Sequence, residues 1–334
     1  MTGVTINYQG KKNLGSSSSS SSVPRVTMTV TLLHLHGPSL YSSPAPLSTV
    51  IEVLTQCLAK DVRLLLSSYS SSSSGQKEEE GEDMEVGEEA EGAEETAYRE
   101  VQEVIRAQYT ALEVLMNLGC LEDEDDWEDE EDQSTLSEDE EGDVTEEEEM
   151  EGRGEVNTVF VEAVVGRGMV ARVLEMAGDL PETVRVSLPK VPGGKALLAQ
   201  FLDLRVRAFL CLANLTDLLS LGDLGGVQTL HHTWTSLGAL CFTDQPVEDA
   251  LLEATSSAMR ATTERLCGEG GEGAQDTVLR LSGTDLQSIL ALYSRATQSP
   301  SVRTNLVHIV GEVACMSALT PGDSASQEVD IQNI

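Results

Sequence analysis

Two windows of carboxylates hold most of the groups in this chain that could act on a charged partner. Glu78 to Glu95 contains 11 acids and Glu122 to Glu151 contains 20, with no Lys or Arg in either. The second window encloses an aromatic, in the run Asp125-Asp126-Trp127-Glu128-Asp129-Glu130. Carboxylates at this density suggest calcium first, but the spacing fails. Counting from Asp123, the sixth position, where a calcium loop needs Gly to turn, is Glu128, and no helix pattern follows promptly. His231-His232 has no carboxylate or Cys companion at ligand spacing, which predicts a partly exposed helix pair and no metal. Gly268 to Gly273 follows a helix pattern and lacks a Lys-Ser/Thr end, so it is not a phosphate loop. No Ser, Cys or His sits in a nucleophile-and-base arrangement, and no sheet pattern exists to shape a pocket for a carboxylate hydrolase. The chain reads as non-enzymatic, with no cofactor, and its chemistry as the binding of another macromolecule.

The sign of the charge narrows the partner. The formal net charge is -36, from 57 Asp plus Glu against 21 Lys plus Arg. Removing the 31 acids of the two windows leaves 26 acids against 21 bases, about -5 for everything else. The acidity is local. A polyanion repels phosphate, which excludes direct nucleic-acid binding and anionic membranes and favours a basic protein. Solvated linkers have the same composition, and on composition alone that reading is favoured over the first. Trp127 tilts the balance, because an aromatic among acids is costly to expose and anchors a segment that folds onto a partner.

The elements that must position these groups read as helices. Aromatic content is 4%, so the core is aliphatic, and six scattered cysteines without a C-x-x-C pair read as reduced, mostly buried thiols of a cytosolic or nuclear protein. Residues 1–46, with a Ser run and four prolines, show no sustained period and read as a disordered leader; the apolar run Val26 to Leu35 is too short to span a membrane. Leu47, Val50, Ile51, Leu54, Leu58, Val62 and Leu65 predict one amphipathic helix over 47–66. A Ser-rich and acidic insertion over 67–95 is expected to be disordered. Thr96 reads as the N-cap of a helix over 96–119, closed by Gly119, and 120–154 as a disordered acidic loop. Over 155–320 the pattern is continuously helical. Short helices near 156–165 and 169–177 precede a Pro-containing loop over 178–194, and helices are then expected over 197–219, 224–242 and from Pro246 to Cys267. Thr284 with Gln287 reads as a capping box for a helix to Thr297, and Ser299-Pro300 as the start of the last. His308 reads as a packing residue and 321–334 as a truncated tail. No segment alternates with period two, so the fold class is all-α.

Helices in antiparallel pairs, each with one apolar stripe, imply a stacked solenoid. Self-similarity supports it: Ala111 to Leu118 and Ala208 to Leu215 share A-x-x-x-L-x-N-L. Val206-Arg207 and Val302-Arg303 each open an apolar helical run in the manner of a HEAT repeat, and Arg in that place bridges to an inter-repeat carboxylate or carbonyl.

The order of these pieces resembles a known family. The helix Ala107 to Leu118, the acidic Asp125-Asp126-Trp127-Glu128 after it, Leu204-Arg205-Val206-Arg207-Ala208-Phe209-Leu210-Cys211-Leu212, Leu224-Gly225-Gly226 and Ser299-Pro300-Ser301-Val302-Arg303 are similar to the C-terminal part of the HEAT repeat-containing protein 3, or symportin, family of ribosomal-protein nuclear import adaptors. The resemblance covers Leu47 to the end and implies an armadillo/HEAT-type α-solenoid with long disordered acidic insertions. It implies a chaperone for newly made large-subunit ribosomal proteins, those that pair with 5S RNA, escorted from cytoplasm to nucleus with an import receptor of the karyopherin class. It also implies an armadillo-like half before the matched region and a further repeat after it, so the chain reads as a truncated member. On this basis Asp125, Asp126, Trp127, Glu128, Asp129 and Glu130 are the expected client-contacting cluster, acting as a surrogate for the RNA backbone. Asn117 and Asn214 stand where armadillo-type inner helices present Asn to a bound peptide backbone, although the Trp usual one turn earlier is replaced by Glu113 and Leu210. Ser137, followed by Glu138-Asp139-Glu140, fits an acidophilic kinase site that would add charge. The alternative reading, a general acidic chaperone or histone-binding scaffold, differs in client selectivity.

Overall fold

The computed structural model describes residues 44–74, 87–119, 158–243, 247–268, 281–296 and 299–319. These form helices α1 (Pro44–Leu58), α2 (Val62–Ser74), α3 (Gly87–Gly119), α4 (Thr158–Gly166), α5 (Met169–Ala177), α6 (Glu182–Ser187), a 3-10 turn (Leu188–Lys190), α7 (Gly194–Leu218), α8 (Gly226–Cys241), α9 (Asp249–Gly268), α10 (Gly283–Arg295) and α11 (Pro300–Leu319), and no strand occurs among the described residues. No helix among them is long and apolar enough to cross a membrane.

The longer helices make one layer. α3 packs on α7, α7 on α9 and α9 on α11, while α1 and α2 cover α3, α5 covers α7, α8 covers α9 and α10 lies against α11. Two helical layers that grow by adding pairs are a solenoid, and the fold is all-α as the periodicity predicts. The shared motif supplies the inter-layer contact: Ala111, Leu115 and Leu118 of α3 and Ala208, Leu212 and Leu215 of α7 are buried. Around them Phe160, Phe201, Leu197, Met169 and Leu112 are fully enclosed. α9 is covered by α7, α8 and α11. Its buried faces carry Ala254, Ala258 and Ala261 with Thr255, Thr262 and Thr263, whose hydroxyls donate to carbonyls four residues back at 2.7–2.8 Å. Small side chains let three helices approach one, and the back-bonding satisfies the buried threonine hydroxyls.

Several expected boundaries move, each for a local reason. The helix expected over 47–66 is two, because Asp61 caps the second: its Oδ1 accepts from the backbone N–H of Arg63 at 2.9 Å and of Leu64 at 3.3 Å. The apolar spacing runs on across the break and hides it. Ser67 to Ser74, expected to be disordered, is the second half of α2. Tyr69 and Ser70 are buried there, Tyr69 Oη donating to the Pro192 carbonyl at 2.7 Å and Ser70 bonding Ser187, while Ser71 and Ser72 bond carbonyls of their own helix. Thr96 is not an N-cap. α3 begins at Gly87, and the Thr96 hydroxyl donates back to the Gly92 carbonyl at 2.7 Å. The end of the first acidic window is thus helical.

The expected loop over 178–194 contains α6 and the 3-10 turn, held down by buried Val184, Leu188 and Val191. α7 then starts from Gly193, whose φ of 67° few side chains adopt. The capping box lies two residues earlier than expected: Ser282 Oγ accepts from Asp285 N at 3.1 Å and Asp285 Oδ2 from Ser282 N at 2.9 Å. His308 is exposed and does not pack, since the buried stripe Val302, Leu306, Ile309 and Val313 places position 308 on the opposite side of α11. Residues 1–43, 75–86, 120–157 and 320–334, which hold the expected leader, part of the insertions and the tail, lie outside the described residues, as does Pro246.

The thiols of Cys57, Cys211, Cys241 and Cys267 are buried and Cys315 is exposed. Burial pushes the Cys241 thiol up to about 12 and the Cys267 thiol up to about 11. Among these five, native alkylation at pH 8 is expected to label Cys315 first and leave Cys241 and Cys267 unmodified until the fold opens; mass-spectrometric mapping checks it. A raised folded-state pKa stabilises the neutral form. That stability is present below the unfolded value near 9 and is lost as pH rises towards 12, so denaturation midpoints should fall across that window.

Candidate binding face

The face of the α3–α7–α9–α11 layer turned away from its covering helices carries the polar groups that two of those helices repeat. On α3 the accessible stripe runs Arg106, Thr110, Glu113, Asn117; on α7 it runs Asp203, Arg207, Leu210, Asn214, Asp217. Spacings of three and four keep each stripe on one side of its helix.

Two contacts fix the register between them. Arg207 of α7 reaches across to α3, its Nε donating to Tyr109 Oη at 2.9 Å, its Nη2 3.4 Å from Glu113 and its guanidinium 4.9 Å above the Tyr109 ring. Further along, the Leu218 side chain lies directly against Gly119, where any Cβ would collide with it. Both helices run in the same direction between these points, so Asn117 and Asn214 fall inside the bracketed stretch of seam. Asn117 is exposed and Asn214 half-buried. The clamp pair expected from the sequence therefore shares one seam, and Glu113, which stands where an aromatic is usual, is used to hold Arg207.

The two Val-Arg elements do related work with different partners. Arg207 meets an inter-repeat carboxylate, as expected. Arg303 instead lies 4.4 Å over Tyr293 of its own helix pair and donates to Tyr293 Oη at 2.6 Å. Both are cation–π contacts backed by a hydrogen bond, a structural use of arginine.

Arg205, two residues before Arg207, was not singled out by motif reading, yet it is the most deeply buried basic group described. Its Nε donates to the Ala177 carbonyl at 3.1 Å and its Nη1 pairs with Asp179 at 3.0 Å. Burial pulls its guanidinium below the ordinary arginine value, and Asp179 pulls it back up. Its spacing from Phe201, Leu204 and Ala208 on the buried stripe was the available signal. The same device recurs through the stack. Arg265 of α9 donates to the Thr216 and Asp217 carbonyls that end α7, Arg295 to Thr243 after α8, and Gln108 to Cys57 and Lys60 at the end of α1. Helix C-termini leave carbonyls without partners, and here a long side chain from another helix satisfies each.

His231 and His232 are exposed, and no group of three or more His, Cys, Asp or Glu among the described residues could hold a metal ion. Asp125, Asp126, Trp127, Glu128, Asp129, Glu130 and Ser137 lie outside the described residues. Their chain leaves α3 just beyond Gly119 and re-enters at α4, so the second acidic window is tethered at the Gly119–Leu218 end of the seam.

A family model described as SYO1-like, TPR repeats matches residues 158–333, which spans α4 to α11. HEAT repeat-containing protein 3 of Mus musculus is 27% identical over 234 residues, covering 67% of this chain and 33% of its own length. Its Homo sapiens counterpart is 27% identical over 240 residues with the same two coverages. The chain therefore spans about a third of the length of the curated relatives it matches. No solved structure matches significantly.

Proposed function

From the premise that the chain belongs to the SYO1-like family of helical-repeat proteins, we propose that it is a non-enzymatic adaptor and chaperone for newly made basic ribosomal proteins of the large subunit, those that pair with 5S RNA. It supports their passage from cytoplasm to nucleus, with a karyopherin as the import receptor. The observation that carries the reading is the partition of charge around one helix. A near-neutral rod bears 11 acids in a window that precedes and enters the start of α3 and 20 in the window that follows it. A basic client would meet negative charge at both ends of the seam that carries Asn117 and Asn214. The electrostatics set encounter rate and sign selectivity, and Trp127, beside Asp125, Asp126, Glu128, Asp129 and Glu130, supplies the apolar anchor. Phosphorylation of Ser137 would deepen the negative field.

Fluorescence titration of the protein with a purified 5S-associated ribosomal protein across a salt series tests this. Removal of Glu122 to Glu151 is expected to weaken binding about tenfold or more at low salt and to flatten the salt slope. Unchanged affinity and slope would reject the acidic-window mechanism. Histones bound in preference to ribosomal proteins would assign the chain instead to the general acidic chaperones.

A further inference from the structure

The last helix pair exposes apolar side chains on the side that faces away from the rest of the stack. Three of the five large hydrophobic residues exposed among the described residues fall here: Leu286 at 39%, Leu290 at 55% and Val307 at 57%. On α10, Leu286, Leu290 and Tyr293 follow spacings of four and three; on α11, Arg303, Val307, Val310 and Ala314 follow four, three and four, so each set is one stripe. The Arg303 guanidinium, 4.4 Å over the Tyr293 ring, joins the stripes at one end. The short connection from α10 to α11 makes the pair antiparallel. Leu290 and Leu286 lie three and seven residues from that contact on one helix, Val307 and Val310 four and seven on the other, so they stand at matching heights.

Among the described helices, α11 has a neighbour of its own layer on one side only. Asn305 faces α9, its Nδ2 donating to Ser256 Oγ at 3.0 Å, and Val307, two residues on, stands on nearly the opposite side. On α10, Ile289 and Leu292 are buried, while Leu286 and Leu290 flank them in the open. A stacked repeat buries such stripes against the next layer, and left bare they form one contiguous apolar patch.

The sequence after α11 supplies an occupant. The SYO1-like match continues past Leu319 to residue 333, so the family's repeat pattern includes these residues. Pro321-Gly322 is a helix-ending pair that suits a reversal of the chain. Beyond it come Val329, Ile331 and Ile334, and the acids Asp323, Glu328 and Asp330, with no Lys or Arg from 320 to 334. The sign is opposite to that of Arg303, the cation on the α11 stripe. The way back from Leu319 to the height of Val307 is about 18 Å along α11, and the ten residues to Val329 span up to about 33 Å. We propose that residues 323–334 lie back over the α10–α11 face as an intramolecular cap, with Val329, Ile331 and Ile334 covering Leu286, Leu290 and Val307 and a carboxylate reaching Arg303. The cap is independent of the acidic windows and of client binding.

Amide hydrogen exchange on the full chain at low concentration, read by mass spectrometry, tests it, with light scattering to fix the oligomeric state. Val329→Asp/Ile331→Asp is expected to speed exchange in α10 and the first half of α11 about tenfold and to leave α7 unchanged. Leu290→Asp, a change at an exposed position, should speed α10 by a similar factor. Combining it with Val329→Asp/Ile331→Asp should add nothing further, since both changes break one contact. A peptide of residues 320–334 added to the Val329→Asp/Ile331→Asp chain should restore protection, and the same peptide carrying both Asp substitutions should not. Unchanged exchange, or variant effects that multiply, would show that the tail does not cover the face and would overturn the proposal. A dimeric wild-type chain that Leu290→Asp renders monomeric would overturn it in favour of a second copy as the occupant.

Discussion

Phe201→Ala is expected to destabilise the fold by about 3–5 kcal/mol, the cost of removing a large aromatic from a site that cannot collapse around the void. Phe201 has no accessible surface and sits in the first half of α7, the helix that packs on α3, α5 and α9 at once. Its nearest sequence neighbours on the stripe, Leu197 and Leu204, are also fully buried, so they cannot swing in. Chemical denaturation followed by circular dichroism measures the effect, with Phe201→Leu as the milder comparison. A loss below about 1 kcal/mol for the alanine variant would show that α7 is not the centre of the stack.

Asp179→Ala is expected to cost about 2–3 kcal/mol, and Arg205→Met less. The asymmetry follows from which partner is left behind. Asp179 is 40% exposed and water can serve it, whereas the Arg205 side chain is 3% exposed. Removing the carboxylate strands a buried cation with only the Ala177 carbonyl to bond, while Arg205→Met removes the charge and keeps apolar volume. The exposure of Asp179 places its loss at or below the lower end of the range for broken buried pairs. Denaturation midpoints of the two variants and of the double variant Asp179→Ala/Arg205→Met decide it. In the double variant the cost should fall back towards that of Arg205→Met alone; additive costs would mean that the pair is not coupled.

Both predictions concern α7, and α7 illustrates how far the residues alone lead. Its existence was legible, because apolar residues from Leu197 to Leu219 recur at helical spacing without interruption. Its role as the hub was not, since each of its contacts with α3, α5 and α9 joins residues that lie far apart in the chain. The candidate seam divides in the same way. The repeated A-x-x-x-L-x-N-L shows that Asn117 and Asn214 occupy equivalent places in two helices. Only the Arg207–Tyr109–Glu113 contact and the Leu218–Gly119 approach show that these helices are adjacent and in a register that brings both Asn residues to one seam. Boundary errors had a common source. Asp61, Thr96 and Ser282 are all residues that cap helices in isolation, and which of them does so depends on what the next turn can bury.

The amino-acid sequence by itself determined that the chain is helical, that its helices repeat, and that its excess negative charge is concentrated in two windows, one running into α3 and one following it. These follow from periodicity and composition, which are local properties. Only the tertiary structure decided how the helix ends are closed. The carbonyls that finish α1, α5 and α7 are satisfied by Gln108, Arg205 and Arg265, each 28 or more positions away along the chain. A helix terminus leaves bonds that its own residues cannot make, and the partner that completes them is chosen by packing.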